Sequence, residues 1–188
     1  TGVEKFNKAN HKIMSDRIVA GTFVIAAVML NKKFKVKEVE PQNLKALISS
    51  LKEMGANIKV ENNIINILPT SNLKGIKIQT SPHPGFPTDL QAQMMALMSL
   101  AKGNSQIKEN IFENRFMHVP ELNRLGAKIK VKKDIAYIYG SRNFKGAQVM
   151  ASDLRASVSL VLAALCAEGE SEINRVYHLD RGYEKIEN

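Results

Sequence analysis

At 188 residues and 44% apolar content the chain is long enough for one ordinary domain with a substantial core, which excludes a disordered tail. Its 27 Lys and Arg against 18 Asp and Glu leave a formal charge of +9. No block of about five or six like charges carries that excess, so it favours an anionic ligand in general rather than a basic arm. A single cysteine, Cys166, excludes an internal disulfide and a Cys-based zinc site, and His11, His83, His118 and His178 have no metal-ligand spacing. Neither metal nor cofactor is expected, and a reducing cytoplasm fits. No window approaches the roughly 18 consecutive apolar residues of a membrane span, and the start TGVEKFNKAN has no signal-peptide character. That start also lacks an initiator Met, as expected of a chain that begins inside a longer protein.

The first run of elements begins near His11. DRIVAGTFVIAAVML reads as a helix with Asp16 at its N-cap, FKVKEV as a strand, NLKALISSLKEMG as a helix ended by Gly55, and NIKV and IINILP as two strands. A strand at 76–80 opens the second run. The loop PHPGFP, stiffened by its prolines, leads into a helix opened by Asp89, whose carboxylate suits an N-cap. Gly103 stops that helix and a strand spans 106–112. Pro120 sits in the first turn of a short helix ended by Gly126, and strands follow at 128–132 and 135–139. The last run reads AQVM, then SDLRASVSLVLAALCAEG with Asp153 at the helix start, then EINRVYHL, and stops in DRGYEKIEN.

These runs repeat. LKEMGANIKVENNIINI at 51–67 matches LNRLGAKIKVKKDIAYI at 122–138 at a constant offset of 71, pairing Gly55 with Gly126, Ile58 with Ile129 and Ile67 with Ile138. The same offset carries Lys74-Gly75 onto Lys145-Gly146, whereas Asp89 and Asp153 differ by 64 because PHPGFPT adds seven residues. The expected fold is α/β (α+β), with two βαβαββ units and a truncated third. Helix cores at 23–29, 94–100 and 158–165 are apolar on nearly every face, which places them inside a surround of sheets.

DRIVAGTF, PHPGFPTDLQAQ, IFENRFMHVPEL, SDLRASVSLVLA and YHLDRGYEKIE together resemble the UDP-N-acetylglucosamine 1-carboxyvinyltransferases, enolpyruvyl transferases that open peptidoglycan synthesis, over essentially all 188 residues. The resemblance implies an inside-out α/β barrel, with residues 1–188 forming a single C-terminal catalytic-half domain. The missing partner is the N-terminal domain, with its reactive cysteine and its lysine and arginine ligands. It implies transfer of the enolpyruvyl group of phosphoenolpyruvate to the 3-hydroxyl of UDP-N-acetylglucosamine with release of phosphate, and no activity from this chain alone. Neither nucleic acid nor membrane is a partner in that reading.

An alcohol attacking an activated enol ether needs a base near its proton and cations around phosphate and carboxylate. In the resemblance Asp89 matches the base, Ile111 a main-chain contact to the sugar, and Arg181 the arginine that grips phosphoenolpyruvate. Arg115, Asp153 and Arg155 match cleft residues, and Asp16 combines an N-cap with an interdomain role. Without the resemblance, Asp89 reads as an N-cap, Ile111 as a buried strand residue, Arg181 as a surface partner of Asp180 or Glu184, and Arg115 and Arg155 as ion pairs across repeats. Cys166, among apolar residues, reads as a small buried hydrophobe, and Met94, Met95 and Met98 as core filler. Two other readings compete: a 3-phosphoshikimate 1-carboxyvinyltransferase domain, and a basic nucleic-acid-binding repeat module. The second lacks interleaved aromatics, with no Trp, four Tyr and seven Phe.

Overall fold

Residues 2–3, 5–140, 143–183 and 186 are described by a computed structural model, and the 71-residue offset is visible in its elements. The first unit contains α1 (Arg17–Met29), β1 (Phe34–Lys37), α2 (Lys45–Glu53), β2 (Asn57–Glu61) and β3 (Ile64–Leu68); no strand precedes α1 among the described residues, so it is not the full βαβαββ copy expected. The second runs β4 (Lys77–Gln79), α3 (Gln91–Leu100), β5 (Asn104–Lys108), α4 (Val119–Arg124), β6 (Ile129–Lys132) and β7 (Ile135–Tyr139), which is the expected βαβαββ order. The third holds β8 (Phe144–Lys145), β9 (Gln148–Met150), α5 (Leu154–Leu165), β10 (Ala167–Glu168) and β11 (Glu172–Asn174).

The register repeats along with the order. Phe34 of β1 lies opposite Ile67 of β3, and Ser105 of β5 lies opposite Ile138 of β7. Ile58 opposite Ile67 likewise becomes Ile129 opposite Ile138. A slip of one residue would send each strand's apolar set to the other face, so a shared register means a shared buried set: Ile65 and Ile67 in one unit, Ala136 and Ile138 in the other. The parallel pair β4–β5 recurs as β9–β11. Gly75 and Gly146, 71 apart, mark where that crossover runs against a neighbouring backbone. A Cβ there would strike the carbonyl oxygen of Asn104 or of Glu170, so no side chain is tolerated.

The long helices form the middle of the molecule. QAQMMALMSL contains neither a β-branched residue nor glycine, so it is a strong helix former. All of α3 from Gln91 to Ser99 is buried, between α1 on one side and α5 on the other. The expected burial on nearly every face holds for α3. It is relaxed in its neighbours, where Phe23 of α1 is 40% exposed and Leu165 of α5 is 60% exposed.

Three boundaries differ from expectation. The strand expected over 106–112 stops at Lys108, because the amides of Ile111 and Phe112 turn to the Glu109 carboxylate instead of a neighbouring strand, so Ile111 lies in a loop. The helix expected to run to Gly103 ends at Leu100, and Gly103 (φ +87) forms the turn into β5. The last strand ends at Asn174, since Arg175 adopts a left-handed conformation and a 3-10 turn, Val176–His178, follows.

Candidate functional site at the helix N-termini

The first turns of α1, α3 and α5 meet at one end of the domain. Asp16 caps α1, its Oδ1 accepting from the amides of Ile18 (2.7 Å) and Val19 (3.2 Å). Asp153 caps α5 in the same way, through the amides of Arg155 (2.9 Å) and Ala156 (3.0 Å). In the second unit the offset from Asp16 falls on Pro87, which precedes a 3-10 turn, Thr88–Leu90, leading into α3. A proline has no side-chain oxygen to offer. Asp89, two residues further in, makes no capping bond either, which corrects the N-cap expectation. Its carboxylate instead faces two guanidiniums: Arg115 Nη2 donates to Oδ1 at 2.8 Å and Arg155 Nη2 to Oδ2 at 3.4 Å.

The two arginines arrive from different units. Arg155 stands in the first turn of α5, and Arg115 in the loop after β5 with its guanidinium 4.8 Å over the Phe112 ring. The Arg155 contact crosses repeats, whereas Arg115 and Asp89 both belong to the second unit, so the cross-repeat ion pair expected of both arginines holds for Arg155 and not for Arg115. The three side chains are 23–37% exposed, so the cluster opens to solvent. Beside it lies an open cleft of about 780 Å³ lined by Ile111, Phe112, Arg115 and Asp134 among others. Two guanidiniums on one carboxylate leave a formal excess of positive charge within this cluster, beside the start of α3, which no side chain caps and whose first amides favour an anion.

The tail carrying Arg181 is tied to the same end. The buried Tyr183 hydroxyl lies 2.8 Å from Thr22 Oγ1 in α1, and Gln93 Nε2 in α3 donates to that Thr22 oxygen (3.2 Å) and to the Asp89 carbonyl (3.1 Å). Burial pushes the Tyr183 phenol above its ordinary range, the Thr22 contact opposing. A Cβ on Gly182 would meet Leu154, the first residue of α5, at 2.9 Å. Arg181 itself is exposed and makes no hydrogen bond or ion pair with Asp89, Arg115, Arg155 or Asp180. Glu184, its other expected partner, lies outside the described residues. Asp153 is at the same end, but its carboxylate faces its own helix and Ser152.

The sequence matches the EPSP synthase (3-phosphoshikimate 1-carboxyvinyltransferase) family over residues 1–188. The chain belongs to that family. Proteins named UDP-N-acetylglucosamine 1-carboxyvinyltransferase from Pelagibacter ubique (strain HTCC1062) and Myxococcus xanthus (strain DK1622) are 53% and 50% identical to it over 186 residues. The match takes in 99% of this chain but 45% and 44% of theirs, so the chain spans about half the length of those relatives. Among solved structures, the enolpyruvyl transferase NikO from Streptomyces tendae superposes with a TM-score of 0.83 at 27% identity, over 91% of this chain and 41% of that one. An EPSP synthase from Acinetobacter baumannii gives 0.72 at 20% identity over 91% and 43%, a likeness of fold.

Within this family domain, two residues near the cleft, Glu109 and His118, carry chemistry that the pattern of motifs does not pick out. Glu109 is 4% exposed and gathers four hydrogen bonds, two of them from Thr80 Oγ1 (2.7 Å) and Thr88 Oγ1 (2.9 Å). Its signal was present: Ser105, Ile107 and Glu109 share the inward parity of β5, and a carboxylate in that position is anomalous. His118, buried at the start of α4, is lowered from an ordinary 6.5 to about 4, chiefly by burial; Asp153 opposes that shift and Arg115 adds to it. Cys166 lies half-buried at the end of α5, where burial raises its thiol to about 11, so it is no thiolate. Met94, Met95 and Met98 are wholly buried core residues. Among the described residues, no group of three or more His, Cys, Asp or Glu could hold a metal ion, and no helix is long and apolar enough to cross a membrane.

Proposed function

We propose that the chain is the C-terminal half of a carboxyvinyl transferase that moves the enolpyruvyl group of phosphoenolpyruvate to the 3-hydroxyl of UDP-N-acetylglucosamine, releasing phosphate, at the cytoplasmic start of peptidoglycan synthesis. The observation that carries this reading is Asp89: a helix-start aspartate that makes no capping bond and is instead held between Arg115 and Arg155. The roughly half-identical relatives along the whole chain support the UDP-sugar as acceptor. The family description offers shikimate 3-phosphate as the alternative acceptor.

In this reading Asp89 accepts the proton of the attacking hydroxyl. The new C–O bond forms at the enol carbon while the neighbouring methylene carbon takes up a proton, giving a tetrahedral intermediate; loss of a proton from the resulting methyl group then restores the C=C bond as the bond to the phosphate oxygen breaks and phosphate leaves. The longer contact, from Arg155 to Oδ2, is the one a substrate hydroxyl would take over. Arg115, Arg155 and the uncapped start of α3 favour the anionic ligand, Ile111 offers its main chain to the sugar, and Asp153 borders the cleft. Arg181 supplies a forked donor for phosphoenolpyruvate. The buried α3 between two outer helices suits an inside-out barrel completed with an N-terminal half, the third unit remaining truncated here.

The test is the chain rejoined to its N-terminal half. It should release phosphate only with both substrates present. Asp89→Asn keeps size and one acceptor but removes the base, and should lower turnover about 100- to 10,000-fold, with a smaller loss of UDP-sugar binding. Near wild-type turnover at saturating substrate would reduce Asp89 to an ion-pair residue.

A further inference from the structure

We infer that Glu109 is the positioning residue that fixes Asp89 and the Ile111 main chain in register with each other. The inference rests on the function proposed above. Glu109 itself touches no substrate in this scheme.

Two threonines distant in sequence and the loop that follows Glu109 converge on its carboxylate. Oε1 accepts from Thr80 Oγ1 (2.7 Å), at the end of β4, and from the amides of Ile111 (2.9 Å) and Phe112 (3.3 Å). Oε2 accepts from Thr88 Oγ1 (2.9 Å), the residue directly before Asp89. Thr80 in turn accepts from the amide of Asn110 (2.9 Å), closing the loop on itself. All the donors are neutral, and among the described residues no cation pairs with Glu109. A carboxylate taken out of water without a counterion is an expensive way to stabilise a loop, but its all-acceptor character lets one group hold several donors at once.

The repeats supply an independent observation. The residue after the strand is Glu38 in the first unit and Arg175 in the third, the positions that the registers equate with Glu109. Both are exposed and left-handed, with φ of +57 and +62. Glu109 is neither. The fold therefore does not require a buried carboxylate here, since it is built twice without one. The buried form occurs only in the unit whose helix start holds the Asp89 cluster. Glu38 carries the same side chain and does not turn inward; at the same 71-residue offset from Thr80 and Thr88 its unit has Ala9 and Arg17, neither of which bears a hydroxyl.

The experiment uses the rejoined two-domain enzyme, with UDP-N-acetylglucosamine and phosphoenolpyruvate as probes and phosphate release as the readout. Thr88→Val keeps the shape and removes the arm to Asp89; Glu109→Gln keeps the size and removes one acceptor; Glu38→Gln serves as the repeat-matched control. Thr88→Val and Glu109→Gln should each lower kcat about tenfold to hundredfold, the scale of a small misplacement of a reacting group, while Glu38→Gln leaves it unchanged. In an Asp89→Asn background the Thr88→Val effect should shrink to less than about twofold, since nothing remains to position. Wild-type kcat in Thr88→Val, or an undiminished effect in the Asp89→Asn background, overturns the inference, and Thr88→Val decides alone if Glu109→Gln does not fold. A rejoined wild-type enzyme with no two-substrate phosphate release would instead sink the proposed function, a separate and recognisable outcome.

Discussion

Arg181 is exposed two residues before the buried Tyr183, so its backbone is anchored while its guanidinium is not. A change that preserves charge tests what that guanidinium does. Arg181→Lys in the rejoined enzyme keeps the field but loses the planar fork, and a charge-assisted hydrogen bond contributes about 1.5–3 kcal/mol. The expected result is a drop of about tenfold to hundredfold in kcat/KM for phosphoenolpyruvate, with UDP-sugar affinity nearly unchanged, read from steady-state kinetics varying each substrate in turn. Equal losses for both substrates, with a lowered Tm, would make Arg181 structural. Asp89 shows why residue roles are harder to read than residue identities. PTDLQ has the composition of a capped helix start, and only the preceding proline, sitting where Asp16 sits in the first unit, displaces the carboxylate from the cap. Glu109 was readable in principle from strand parity, but its partners, Thr80 and Thr88, come together only through the fold.

At the scale of elements, the repeat made the units legible because register and period are carried by buried apolar positions, Ile58, Ile65 and Ile67 against Ile129, Ala136 and Ile138. The loop from Glu109 to His118 was not legible, since side-chain acceptors rather than strand partners satisfy its amides. That loop delivers His118 to the start of α4 in neutral form, with Asp153 and Arg115 as the charges acting on it. A histidine lowered from 6.5 to about 4 binds its proton more readily unfolded than folded. Its contribution to stability is thus complete above pH 6.5 and drains away as pH falls toward 4, by about 3 kcal/mol. Urea midpoints measured across that range should fall more steeply for wild type than for His118→Gln. Parallel curves would show that the ring takes up its proton without loss of fold.

At the scale of the whole molecule, the chain spans 45% of the Pelagibacter relative, and Asp89, Arg115 and Arg155 line an open end rather than a closed chamber. The purified chain alone should therefore give no phosphate release dependent on both substrates, and a colorimetric phosphate assay showing such release would contradict the division of labour proposed here. The same architecture settles where movement can occur. Every residue of α3 from Gln91 to Ser99 is buried, with Asp89 just beyond its first turn, so this helix has no wet side along which to slide or tilt. The backbone that presents Asp89 stands on a fixed post. Accommodation of a ligand on this side then belongs to side chains with atoms in water: the Asp89 carboxylate, the two guanidiniums, the Phe112 ring and Arg181.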